Sequence, residues 1–505
     1  MSQPGQASRA GGILLHPTSI PGSDGIGDLG ENALRWMDWL HEAGCRLWQV
    51  LPLGPTGYGD SPYQSLSAMA GNPMLISLDQ LIMDGLLYEE DKSERPAFGD
   101  RSVDYGEVIQ YKENLLQLAS RRFHMGSADH LKGEFHSFCD AQAAWLDDFT
   151  LFMALKQQHG GSPWTSWEPA LRHRSPQALM QARETLEEEI EDHRFRQFIF
   201  YRQWATVKRK AQEKSIRIIG DVPIFLAHDS VDVWSHPELF YLDEEGMPLV
   251  VAGVPPDYFS PTGQLWGNPL YRWDKLRQDG YAWWKQRLHS ILTMVDCVRL
   301  DHFRGFDAYW EIPASATTAV TGRWVPGPGS DFFKAIRGEF DELPFIAEDL
   351  GLITEEVEAL REMFNLPGMK VLQFAFEEDP SIEFLPHHFT HNCVVYTGTH
   401  DNDTSRGWYE SSTEQVKDFC RKYLASDGVN IAWDMIRAIW ASVADLAIVP
   451  MQDFLGLGSE ARMNFPSRAE GNWTWRVREE ELSASLAQRI HELNTLYSRV
   501  DDGAN

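Results

Sequence analysis

The chain has 505 residues, 43% of them hydrophobic, which is enough apolar material for a large core and excludes disorder as its general state. Its 74 Asp+Glu against 45 Lys+Arg give a net charge of -29, which excludes a nucleic-acid or anionic-membrane surface and suits a neutral ligand. Five cysteines, Cys45, Cys139, Cys297, Cys393 and Cys420, lie far apart with no C-x-x-C spacing, and Met1 to Gly12 carries no apolar signal region. Buried thiols in a cytoplasmic, reducing compartment are therefore expected.

Short apolar runs recur along the chain, each ending in a polar cluster. The first two are Gly12 to Leu15 before His16-Pro17-Thr18-Ser19, and Arg46 to Leu51 before Pro52. Ile216 to Gly220 precedes Asp221, Asp296 to Leu300 precedes Asp301, and Pro344 to Ala347 precedes Glu348. The last three are Met369 to Leu372, Cys393 to Tyr396 before Thr397-Gly398-Thr399-His400-Asp401, and Leu446 to Val449. Helical periodicity separates most of them, as in Asn32 to His41 and Thr354 to Phe364. Strands alternating with helices, with polar groups at the strand ends, predict an α/β protein, a (β/α)₈ TIM-type barrel. A doubly wound sheet remains open, because a sequence does not show closure.

Two connections exceed a simple crossover. Between the second and third strands, helical patterns at Asp104 to Phe123 and around Phe198, Tyr201 and Trp204 predict a mostly helical insertion over residues 66–205. Glu187-Glu188-Glu189 within it reads as a solvated helix face. Between the third and fourth strands, residues 225–285 form a predicted loop insertion at the active site. Its Pro- and Gly-rich run from Val251 to Pro269 argues against a regular element, yet it carries Tyr258, Phe259 and Trp266, the makings of a binding lid. About 55 residues follow the last strand, too few for a C-terminal β-sandwich. One catalytic barrel over residues 1–505 is expected.

Three carboxylates fall at three strand ends: Asp301, Glu348 and Asp401. A barrel gathers such ends around one mouth, where like charges repel and one acid is kept protonated. A charged carboxylate beside a neutral carboxylic acid is the equipment of a retaining glycosidase, with the third acid left to steady positive charge. Arg299, two residues before Asp301 on the same strand face, supplies a cation. Taken alone, that pair is better explained as a structural ion pair. Metal ligation by His16, His302, His400 and Asp301 is the competing reading. The first strand has no His-x-His pair and no strand supplies a bridging lysine, so neither a metal nor any other cofactor is expected.

Six segments, in order, resemble the 4-α-glucanotransferases called amylomaltases, a family distantly related to the α-amylases. They are Gly57-Tyr58-Gly59-Asp60-Ser61-Pro62-Tyr63-Gln64, Gly220-Asp221-Val222-Pro223-Ile224-Phe225, Arg299-Leu300-Asp301-His302-Phe303-Arg304-Gly305, Ala347-Glu348-Asp349-Leu350-Gly351, Thr399-His400-Asp401-Asn402-Asp403-Thr404 and Ala461-Arg462-Met463-Asn464. The resemblance implies Asp301 as nucleophile, Glu348 as acid/base and Asp401 as transition-state stabiliser. It further implies that Arg299 and His400 contact the nucleophile and the sugar, that Tyr63 stacks on that sugar, and that Asp221 and Asn464 lie nearby. Tyr258, Phe259 and Trp266 would line the glucan groove. Ser467 departs from the family pattern, where glycine is expected. The implied partners are α-1,4-glucans and maltooligosaccharides, with glucose as an acceptor, handled by a monomer or weak homo-oligomer without nucleic acid or membrane. A retaining α-glucan hydrolase and a non-catalytic glucan-binding protein are the alternatives.

Overall fold

The computed structural model describes residues 9–256, 260–340, 342–376, 382–466, 468 and 470–500. In chain order the strands are β1 (Ala10–Leu14), β2 (Leu47–Gln49), β3 (Arg217–Pro223), β4 (Val250–Val254), β5 (Gln264–Pro269) and β6 (Cys297–Asp301). There follow β7 (Ala308–Pro313), β8 (Arg323–Pro326), β9 (Phe345–Ala347), β10 (Gly368–Val371), β11 (Cys393–Tyr396) and β12 (Leu446–Pro450). Eight of them form one parallel sheet in the order β10-β11-β12-β1-β2-β3-β6-β9. The two ends of that order meet, because the Ala347 N–H at the end of β9 donates to the carbonyl of Pro367, just before β10, at 2.9 Å. That closure separates a (β/α)₈ barrel from a doubly wound sheet. All eight runs expected from the sequence are barrel strands, and no regular strand follows Pro450 among the described residues.

The barrel strands are apolar because parallel strands are covered on both faces; all four residues of Cys393–Tyr396 are buried. The helix Glu31–Glu42 buries Ala33, Trp36, Met37 and Leu40, one face at 3.6-residue periodicity. The helix Glu355–Met363 opens with Glu355, Glu356 and Glu358 and ends with Arg361, charges that match the two ends of its dipole. Between β2 and β3 run the helices Tyr105–His124, Lys132–Gln158 and Glu187–Glu213, whose shared core includes Phe123, Phe135, Phe195 and Phe198. Glu187, Glu188 and Glu189 form the first turn of the last of these, where negative charge is favoured.

The run from Val251 to Pro269 differs from expectation. It contains β4 and β5, which pair antiparallel and join β7 and β8 in a second sheet of order β5-β4-β7-β8. Its prolines and glycines do not break the strands. Pro255 and Pro256 follow β4, and Gly263 immediately precedes β5. Gly253 is needed within β4 because a Cβ there would lie 2.1 Å from the Gln264 carbonyl oxygen of the paired strand.

Near the chain's end, Arg499 is fully buried and donates to six main-chain carbonyls, of Trp440, Ala10, Asp445, Ile439, Ser442 and Ala444. It ties the starts of β1 and β12 to the helix Ile431–Ala441. Replacing Arg499 with Ala removes these bonds together and leaves a buried cavity where the side chain stood, so a loss of about 3 kcal/mol in unfolding free energy is expected by urea denaturation. No described helix is long and apolar enough to cross a membrane.

Candidate active site

The polar cluster begins with strand register. β3 pairs with β6 so that Asp221 lies opposite Arg299 and Pro223 opposite Asp301. Period-two alternation then turns Asp221, Arg299 and Asp301 to the barrel interior, while Val298 and Leu300 pack outward. Arg299 bridges both acids: Nη1 donates to Asp221 Oδ2 at 2.6 Å, and Nη2 lies 2.8 Å from Asp301 Oδ1. Burial opposes the guanidinium charge, but Asp221 and Asp301 outweigh it and hold its pKa well above the ordinary value. Asp221 is itself buried, and that burial pushes its pKa up to about 6 against the pull of Arg299. Tyr63 Oη donates to Asp221 Oδ2 at 3.0 Å, and Asp221 Oδ1 has no hydrogen-bond partner among the described residues.

Glu348 follows β9 directly. Its Oε2 accepts the His302 N–H at 2.7 Å and its Oε1 the Leu350 N–H at 3.3 Å. The first of these bonds depends on His302 sitting at φ +57, a left-handed conformation uncommon for a residue with a side chain. Burial, reinforced by the charge of Asp301, pushes Glu348 up to about 8, although Arg299 and the His302 N–H pull the other way. Glu348 is therefore a neutral acid at pH 7, next to a carboxylate fixed on an arginine. The folded chain holds this proton up to about pH 8, whereas an unfolded Glu loses it near pH ~4.3. The associated stability is complete below the lower value and is lost as pH rises through the upper one. Glu348→Gln abolishes that ionisation, so the variant should melt above the unaltered protein at pH about 9, and the gap should close towards pH about 4.

Asp401 stands beyond β11. Its Oδ1 accepts from Asn464 Nδ2 at 2.6 Å, its Oδ2 lies 3.3 Å from His400 Nε2, and its carbonyl accepts from Arg462 Nη2 at 2.6 Å. Arg462 Nε donates to the Asn464 carbonyl at 2.7 Å, which fixes the segment after β12 against Asp401. The His400 ring stacks on Tyr63 with centroids 5.2 Å apart and planes 14° apart, and Trp473 lies 5.9 Å from both rings. Tyr63 thus links this aromatic floor to the Asp221–Arg299–Asp301 chain.

The geometry brings together Asp301, Glu348, Asp401, Tyr63, Asp221, Arg299, His400 and Asn464. Trp266 sits on β5 with its ring 4.8 Å from that of His302 and at 82° to it. Tyr258, Phe259 and Ser467 lie outside the described residues. His302 also packs on Phe225, and burial drives its pKa down to about 4. His16 is buried near His400, and burial followed by that neighbour takes it down to about 3. Two contributors were not singled out from the sequence. Arg462 belongs to the Ala461-Arg462-Met463-Asn464 segment, and Trp473 follows Gly471-Asn472 at φ +64, where an aromatic in a turn is the available signal.

A closed barrel that gathers a protonated acid, an arginine-bound carboxylate and a hydrogen-bonded third carboxylate over stacked rings is built as a carbohydrate-active enzyme of the (β/α)₈ class. Residues 15–483 match the glycoside hydrolase family 77 profile, described as "4-alpha-glucanotransferase". A 4-alpha-glucanotransferase of Thermus thermophilus is 53% identical over 97% of this chain and 99% of its own. One from Synechocystis is 48% identical over 97% and 98%. Among solved structures, the amylomaltase from Streptococcus agalactiae in complex with acarbose superposes with a TM-score of 0.94 at 39% identity, covering 98% of this chain and all of that one. The chain belongs to the 4-alpha-glucanotransferase family, the amylomaltases, and is an enzyme of that class.

Proposed function

We propose that the chain transfers segments of α-1,4-glucan to the 4-hydroxyl of another glucan or of glucose, with retention, through a glycosyl-enzyme on Asp301. The carrying observation is the contrast between Asp301, paired with Arg299 at 2.8 Å, and Glu348, whose burial pushes its pKa up to about 8. Glu348 gives its proton to the glycosidic oxygen as Asp301 attacks the anomeric carbon, and the leaving glucan departs with a new hydroxyl. The resulting Glu348 carboxylate takes the proton of the acceptor's 4-hydroxyl as that oxygen attacks the same carbon. Asp301 is released and the configuration is restored. Asp401, held by Asn464 and adjacent to His400, offsets the positive charge of the oxocarbenium-like transition state. Tyr63, stacked on His400, offers the sugar a flat apolar face.

Transfer rather than hydrolysis needs an acceptor sugar to reach the intermediate before water does. The aromatic groups expected to line the groove, Tyr258, Phe259 and Trp266, would hold an acceptor and exclude water. A monomer or weak homo-oligomer is the expected state. The five cysteines are free thiols, which suits a cytoplasmic setting.

Incubation with maltotriose tests this reading. A ladder of longer maltooligosaccharides together with glucose is expected, and shortened products alone would make the chain a hydrolase. Because Glu348 must be protonated for the first step, kcat/KM should fall as pH rises through about 8.

A further inference from the structure

We propose that Trp324, on the outer strand of the second sheet, is an additional contact for the acceptor glucan, a specificity-determining platform beyond the catalytic mouth; this rests on the transfer reading above. Trp324 is 38% exposed at the edge of an antiparallel sheet. Its ring is held before any ligand arrives. The Arg304 guanidinium carbon sits 3.8 Å from the ring centroid, and Trp310, its cross-strand partner, meets it edge-on at 5.2 Å and 70°. A fixed aromatic surface costs little entropy to use in binding.

The fixing group also ties this surface to the reaction centre. Arg304 is three residues beyond Asp301, and its Nη1 donates to the carbonyl of Leu352, four residues beyond Glu348. The same buried guanidinium therefore touches the loop that carries the acid/base and backs the exposed indole. An acid/base must reach the glycosidic oxygen, the atom where the donor sugar meets the leaving chain, so its loop borders the side where leaving and acceptor chains run. A glucan extending from that side meets an apolar surface of Trp324 and the exposed side chain of Leu352. Arg323, the preceding residue of the strand, turns to the opposite face and is held there by Glu311 at 2.8 and 2.7 Å, so the face that carries Trp324 and Trp310 is left to the rings. A fixed indole face matches the apolar C–H face of a neutral oligosaccharide.

The test is acceptor-length dependence in Trp324→Leu, which keeps apolar contact with Trp310 but has no ring face, and in Trp324→Tyr, which keeps a ring. With maltotriose as both donor and acceptor, both variants should work within about twofold of the unaltered enzyme. With maltoheptaose or short amylose as acceptor, Trp324→Leu should show a KM raised roughly fivefold to tenfold at unchanged kcat, and Trp324→Tyr should largely restore it. A length profile identical to that of the unaltered enzyme overturns the proposal. So does an equal loss on short and long acceptors accompanied by a lower melting temperature, which marks a merely structural side chain. Failure of the transfer reading looks different, since the unaltered enzyme would then yield no ladder. The length dependence would in that case be read on the chain being cleaved.

Discussion

Asp301→Asn is expected to lower glucan transfer by roughly 10⁴-fold or more, while the variant folds and still binds maltooligosaccharides. Asparagine has the same shape but cannot form the ester to the anomeric carbon, and it carries no charge to steady the cation that develops there. The fold should tolerate the change because Arg299 keeps its second carboxylate, Asp221, at 2.6 Å. The Asp301 side chain is also 29% exposed, unlike the buried Asp221. Removing Asp221 is the more dangerous substitution for stability, since it strips the deepest partner from a buried cation. Initial rates on maltotriose and isothermal titration with maltoheptaose separate the two effects. Near-normal turnover in Asp301→Asn would place the nucleophile elsewhere.

Glu348→Gln comes second, with an expected loss of about 10²–10⁴-fold on maltotriose, the scale of a missing general acid. The glutamine carbonyl oxygen can keep the 2.7 Å bond from the His302 N–H, while its amide nitrogen cannot accept from Leu350, whose bond to Glu348 is the longer one at 3.3 Å, so the loop should largely hold its shape. The loss should depend on the leaving group. With an α-maltosyl fluoride donor, fluoride departs without a proton, so formation of the glycosyl-enzyme should be nearly intact and its discharge to an acceptor should be slow. An equal loss on both donors would give Glu348 a purely structural role.

The barrel was legible because each of its strands carries two signals at once, an apolar run and a polar cluster where it ends. Asp296 to Asp301 shows both: Val298 and Leu300 feed the outer core, and Arg299 and Asp301 face inward. The sequence suggested the Arg299–Asp301 pair. That Arg299 also binds Asp221 could not be read from it, because this depends on β3 and β6 being neighbours and on their register. The second sheet was hidden for a different reason. In β4 and β5 the alternation is broken by Gly253, which the close approach of the paired backbone demands, and prolines cluster at the adjoining turn. Local composition therefore argued for irregular structure where pairing with β7 supplies regularity. Trp473 escaped for a similar cause, since its place beside Tyr63 and His400 is a product of tertiary folding from a turn at the far end of the chain. The proton on Glu348 was anticipated as a need of neighbouring carboxylates; which acid holds it follows from burial, visible only in three dimensions.

The central claim is that a glucan passes through a covalent bond to Asp301, and trapping tests it most directly. Glu348→Gln is loaded with α-maltosyl fluoride in the absence of acceptor, digested, and its peptides are weighed. The account predicts a maltosyl adduct on the peptide containing Asp301, discharged with retention when maltotriose is added. An adduct on the peptide carrying Asp401 or Asp221, or products of inverted configuration with no adduct, would contradict it.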